Sequence, residues 1–152
     1  VYDDFAHHPT AIRETLEGIR SAFPGRSVWA IFEPRSATSC RRIFQQDFVK
    51  ALARADHVIL PAVFRSSLPE DQRLNAEQVV ADLRPQGVDA RYLPIVDDIV
   101  RTVARESTSG DIVVVMSNGG FDDIHGKLLT ALQTRANVPR AGLMSQQGEA
   151  KQ

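Results

Sequence analysis

The chain has 152 residues, 43% of them hydrophobic and 24% charged, with a net charge of −1. That length suits one domain with one core, and the balanced charge carries no electrostatic footprint for nucleic acid. No apolar run approaches the ~20 residues needed to cross a bilayer, no basic-then-apolar leader opens the chain, and the single cysteine, Cys40, excludes an internal disulfide. These features fit a cytoplasmic protein. The opening Val1-Tyr2-Asp3-Asp4 reads as the end of a strand with no initiating Met, as expected of a piece of a longer chain.

Val1 to Asp4 is the first strand candidate. Pro9 suits the first turn of a helix whose Ile12, Leu16 and Ile19 share a face, and Pro24-Gly25 ends it. Val28 to Phe32 is a short, continuously apolar strand, as expected where both faces are buried. A helix is predicted from about Arg41 to Ala55, with Phe44, Phe48 and Leu52 four apart, and His57 to Ala62 is the third strand. Phe64 to Leu74 is a polar loop, and Asn75 caps a helix burying Val79, Val80 and Leu83 that stops at Pro85 and Gly87. Ala90 to Leu93 is a strand and Val96 to Arg105 a helix with Ile99, Val100 and Val103 inward. Gly110 leads into the clearest strand, Ile112 to Met116. A last helix follows with Ile124, Leu128 and Leu132, and from about 137 to 152 the chain is a polar, mobile tail. Alternating strands and helices predict an α/β fold: a three-layer, Rossmann-like domain with a mostly parallel sheet flanked by helices.

Ligands of such sheets bind beyond the carboxyl ends of the strands, so the residues after each strand carry the chemistry. Asp3-Asp4-Phe5-Ala6-His7-His8-Pro9-Thr10 brings two carboxylates and two imidazoles to a helix start. Asp4 offers acceptors for ribose hydroxyls or a cation's water shell, and His7 a donor for phosphate. The plainer account makes His8 an N-cap and the aspartates a solvated strand end. Glu33-Pro34-Arg35-Ser36-Ala37-Thr38 offers a planar guanidinium fork flanked by the hydroxyls of Ser36 and Thr38, or simply a capped loop. Ser117-Asn118-Gly119-Gly120-Phe121 combines polar side chains with a glycine pair that lets backbone approach a ligand, or a tight turn. Arg65 and Arg73 decorate the loop after the third strand and read as solvated charges. His125 and Lys127 lie one turn into the last helix, His57 and Trp29 read as structural, and no metal-ligand spacing stands out. Neither a dinucleotide fingerprint nor the phosphate loop G-x-x-x-x-G-K-[ST] occurs.

Taken in order, three of these stretches resemble motifs of the carboxy-terminal (third) domain of the Mur ligases. They are Asp-Asp-Phe-Ala-His-His-Pro-Thr at 3–10, Glu-Pro-Arg-Ser with Thr38 at 33–38, and Met-Ser-Asn-Gly-Gly-Phe with Ile124-His125 at 116–125. The likeness runs from Val1 to about Leu132, with the domain taken as 1–136. Within the family it is similar to the branch that attaches murein tripeptide to UDP-N-acetylmuramate in cell-wall recycling; the L-alanine-adding branch would more typically show Gln-Pro-His-Arg at 33–36. One departure is that Asp122 and Asp123 stand where glycines are expected. The resemblance implies that amino-terminal and central domains lie outside this chain and supply the sugar site and the phosphate loop, with ATP and Mg as cofactors of the full-length enzyme. It implies that this domain closes over ATP and brings the incoming peptide, and that alone it is inactive. It assigns Asp4 and His7 to the nucleotide, and Arg35, Ser36, Thr38, Ser117, Asn118, Gly119 and Gly120 to the peptide. The loop that carries Arg35 is expected to follow the strand next to the first motif. Two other classes compete. A phosphoacceptor receiver needs a strand-end Asp where this chain has Glu33-Pro34 and Pro61-Ala62, and a non-catalytic Rossmann-type module needs only a ligand pocket.

Overall fold

The computed structural model describes residues 1–64 and 67–137. Arg65 and the tail from 138 to 152 lie outside them. Five parallel strands form one sheet: β1 (Tyr2–Asp4), β2 (Val28–Phe32), β3 (His57–Leu60), β4 (Asp89–Tyr92) and β5 (Ile112–Met116). Their spatial order is β1-β5-β2-β3-β4. Successive side chains on a strand point to opposite faces, so the apolar runs divide between two cores. Val28, Ala30, Phe32, Val58, Leu60, Val114 and Met116 pack with α1 (Pro9–Ala22), α2 (Gln45–Leu52) and α3 (Ala76–Leu83). Trp29, Ile31, Ile59, Val113 and Val115 pack with α4 (Val96–Glu106) and α5 (Ile124–Asn137). The result is the three-layer α/β architecture expected from the alternation of elements.

The first-motif strand does not lie beside β2. β5 is inserted between them, with Asp4 and Phe32 both in register with Met116. The reason is burial. β1 has three residues and a half-exposed Tyr2, which suits an edge, whereas Ile-Val-Val-Val-Met needs cover on both faces. The helix expected from Arg41 to Ala55 is shorter than its periodicity. A 3₁₀ turn at Arg42–Phe44 precedes α2 because this segment is tied to the loop after β3. Leu74 N–H donates to Cys40 O at 2.9 Å, Arg41 bridges Arg73, and the buried Gln45 accepts from Asn75 N–H at 3.0 Å. Tertiary bonds there outweigh helical propensity.

All strands run the same way, so their carboxyl ends share one edge of the sheet. α1 and α2 leave β1 and β2 on one face, while α5 leaves β5 on the other. The loop after β5 therefore diverges from both neighbours and opens a crevice, the place where such sheets bind ligands.

Candidate functional site

Three loops meet at this crevice. Ser117 N–H donates to Asp4 O at 3.1 Å, and Glu33 N–H donates to Met116 O at 3.0 Å, so the sheet pairing continues into the loops and fixes their spacing. In the first loop Asp4 turns the chain: Oδ1 accepts from Ala6 N–H at 2.7 Å and Oδ2 from the Thr15 hydroxyl at 3.2 Å. Each oxygen keeps a second lone pair for a hydroxyl donor. His7 Nδ1 lies 3.0 Å from Phe5 O, which only an N–H can satisfy. Its Nε2 is therefore an acceptor when the ring is neutral and donates to a phosphate only as imidazolium. His8 Nδ1 accepts from Thr10 N–H at 3.3 Å and is the N-cap of α1.

In the second loop Ser36 and Ser39 hold each other. Ser39 Oγ accepts the N–H groups of Arg35 and Ser36 at 3.0 and 2.9 Å, and Ser36 Oγ accepts Ser39 N–H at 2.9 Å. The Ser36 hydroxyl thus shapes the turn, and half-buried Thr38 receives Arg41 N–H on its carbonyl. Arg35 is held in three ways. Its Nη1 donates to Glu33 Oε1 at 3.1 Å. Its Cζ lies 3.9 Å from the Phe64 ring centroid, a cation–π contact. Its side chain also lies so close over Gly119 that a Cβ there would meet Nε at 2.2 Å. A side chain at position 119 would displace Arg35; at Gly120 a Cβ would meet nothing within 4 Å among the described residues. Glu33 is 4% exposed, and burial pushes its carboxyl above the usual range despite the hydrogen bond and charge of Arg35.

In the third loop Ser117 Oγ accepts Gly119 N–H at 3.1 Å. Asn118 Oδ1 is buried without a hydrogen-bond partner among the described residues. His125 Nε2 approaches Asp3 Oδ1 to 3.2 Å, an ion-pair distance off the hydrogen-bond direction, so the nitrogen has no hydrogen-bond partner among the described residues. Asp3, Phe5, Ser117, Asn118 and Gly119 line a cavity of about 350 Å³ between the first and third loops. A second, of about 210 Å³, lies in front of Glu33 and Arg35, walled by Phe64, Val96, Phe121 and Asp122. A larger cavity of about 850 Å³ lies off to the β3–β4 side, with Arg42, Arg73, Asn75 and Tyr92 in its wall. None of the residues picked out in the three motifs reaches it, so volume alone does not locate the chemistry.

The structure therefore brings Arg35, Ser117, Asn118 and Gly119 to one crevice, with Asp4 tied to it through its carbonyl, while His7 lines neither of its two cavities. Glu33, Phe64 and Phe121 also line it and had been given no role from the sequence. Phe64 had no local signal, since it follows β3 and reaches Arg35 only through the sheet order. Among the described residues no group of three or more His, Cys, Asp or Glu is placed to hold a metal ion. None of their helices is long and apolar enough to cross a membrane.

An all-parallel α/β domain with ligand loops at the carboxyl ends of adjacent strands is the class that fold and site define. Residues 1–119 match the family described as Mur ligase, glutamate ligase domain. The chain belongs to the Mur ligase family and corresponds to its carboxy-terminal domain. It is 40% identical over 139 residues to the UDP-N-acetylmuramate–L-alanyl-γ-D-glutamyl-meso-2,6-diaminoheptandioate ligase of Escherichia coli (strain K12), covering 91% of this chain and 28% of that protein. It is 35% identical over 120 residues to a UDP-N-acetylmuramate–L-alanine ligase of Desulfitobacterium hafniense (strain Y51), covering 78% of this chain and 26% of that one. A crystallised domain from Haemophilus ducreyi 35000HP, assigned to a ligase of the first kind, superposes with a TM-score of 0.65 at 31% identity, covering 86% of this chain and 88% of that one. The chain thus spans about a quarter of the length of the curated relatives.

Proposed function

We propose that this chain, over residues 1–136, is the closing domain of a cytoplasmic, ATP-dependent ligase that attaches murein tripeptide to UDP-N-acetylmuramate. The observation that carries the reading is the meeting of the Asp4–His7, Arg35 and Ser117–Gly119 loops on one crevice. On this reading the first loop faces the nucleotide, beside a guanidinium suited to a peptide carboxylate. With no phosphate loop here, ATP, Mg and the sugar nucleotide belong mainly to the amino-terminal and central domains of the full-length enzyme. This chain adds Asp4 for hydroxyl donors, His7 for phosphate, and a cover that keeps water from the acyl phosphate. The amine-bearing peptide enters on the Arg35 side.

The L-alanine ligases among its relatives favour a second reading, the alanine-adding branch. Competition between tripeptide and L-alanine in the full-length enzyme separates the two. Tripeptide is expected to have the higher kcat/KM; preference for L-alanine assigns the second reading, and turnover of neither sinks both. The 152-residue chain alone is expected to hydrolyse no ATP above a heat-killed control. In the full-length enzyme His7→Ala is expected to lower turnover by about 10²-fold, a typical loss for a positioning contact. Wild-type kinetics in that variant would make the first loop structural only.

A further inference from the structure

We propose that Glu33 is a positioning residue that, with Phe64 and Gly119, presets Arg35 as a side-on fork for one carboxylate of the incoming substrate. This rests on the peptide reading above and names the atoms that would serve it. Glu33 takes Nη1, and neither Nε nor Nη2 has a hydrogen-bond partner among the described residues. Those two nitrogens form the guanidinium edge with two parallel N–H groups, which matches a carboxylate in bidentate geometry. The Phe64 ring and the Gly119 backbone limit where the side chain can swing, and Arg35 lines the cavity of about 210 Å³. An arginine so held has already lost its rotamer freedom, so the ligand need not order it.

A purely structural bridge would look different. Glu33 sits at the end of the central strand β2, 4% exposed, and its one salt-bridge partner among the described residues is two residues away on the same loop. Such a pair ties no two elements together. Burial raises the Glu33 carboxyl even with Arg35 beside it, so the pair does not repay its own desolvation. A costly buried charge lining a crevice marks a site.

The test has two arms. In the first, the Arg35 Nε–Hε signal of the 152-residue chain is followed by NMR and assigned by its loss in Arg35→Lys. Glu33→Gln is expected to speed its solvent exchange several-fold, Glu33→Asp to restore part of the protection, and Gly119→Ala to shift the signal by displacing the side chain. Gly120→Ala is the control and is expected to leave it in place. An Arg35 signal indifferent to Glu33→Gln and to Gly119→Ala overturns the positioning role. The second arm is steady-state kinetics of the full-length enzyme. Glu33→Gln and Arg35→Lys are each expected to raise the tripeptide KM by about tenfold or more, with smaller changes in kcat and in the KM for ATP. Arg35 disordered in the first arm with the tripeptide KM unmoved in both variants overturns the carboxylate fork. Failure of the peptide reading itself has a separate signature, a wild-type enzyme that does not use tripeptide.

Discussion

Phe121, Asp122 and Asp123 lie in left-handed backbone, with φ of 44°, 50° and 52°. Side chains resist this region because Cβ crowds the following carbonyl, and Asp tolerates it better than most. The departure noted in the sequence, aspartates where glycines were expected, falls on these strained positions, which gives the glycine expectation a physical reason. Asp122 recovers something through Lys127, 2.7 Å away, although that pair is exposed and Lys127 also bonds Asp97. A strained non-glycine residue costs about 1–3 kcal/mol, with Asp at the lower end, and a solvent-screened pair offsets little of it. In Asp122→Gly the relieved strain is set against a glycine entropy penalty of about 0.5–1 kcal/mol and the lost Lys127 contact, so the melting temperature is expected to stay within about 3 °C of wild type. Asp122→Val should lower it, since a β-branched side chain fits this backbone worst. Thermal melts placing Val clearly below both Gly and Asp would bear this out; Val equal to or above Gly would remove the strain argument.

At the scale of elements, α5 fixes where the third loop ends. Its Ile124 and Leu128 are fully buried against Val113, Val115 and Phe121, and the Arg135 guanidinium donates to Ala104 O at 2.8 Å near the end of α4. Leu128→Ala would open a cavity under the crevice and is expected to cost about 2–5 kcal/mol. Urea unfolding measures this; a loss under 1 kcal/mol would mean that α5 does not anchor the loop. Most elements were legible because their periodicity and punctuation agree: Pro9 and His8 start α1, Asn75 caps α3, and Val28–Phe32 and Ile112–Met116 stand as read. What pattern alone could not carry was long-range pairing. The place of β5 between β1 and β2, the 3₁₀ turn before α2, and the contact of Phe64 with Arg35 each depend on residues far apart in sequence. The three motif loops could be found from strand ends, but which side chains shape a loop and which face the crevice could not. Ser36 illustrates this, its hydroxyl taken by Ser39.

Across the whole molecule, charge divides between the two edges of the sheet. At the amino edge, opposite the crevice, His57 stacks on Trp29 at 3.9 Å and meets Asp89 at 2.9 Å, while Asp111 accepts Trp29 Nε1–H at 3.1 Å. The Arg91 hydrogen bond, with His57, holds Asp89 below the usual carboxylate range, and Arg91 and Arg105 bring Glu106 down to about 2. For Asp56 and Asp111 burial pushes upward, but it is outweighed. Arg20 and Val28 N–H do so at Asp56, and Thr108 and Trp29 at Asp111, leaving both lowered. A carboxylate lowered by folding contributes stability that is present above its unfolded value and lost as pH falls through its folded one. Glu33, at the crevice, has the opposite sign: its raised carboxyl favours the folded state more as it protonates, so its contribution grows on acidification. Four lowered groups outnumber one raised group, so the melting temperature should hold near neutrality and fall from about pH 4.5 downward. Asp56→Asn should make that fall shallower, because Asp56 joins the Val28 N–H at 2.8 Å to Arg20 at 2.9 Å and these bonds weaken when it protonates. Glu33→Gln removes the offsetting group, so its melting temperature at pH 7 should be no lower than wild type and its acid fall steeper. Melts of the three chains from pH 3 to 8 decide the matter. A Glu33→Gln chain clearly less stable at pH 7 would show that its pair with Arg35 holds the fold together, and the crevice would then carry no stability cost.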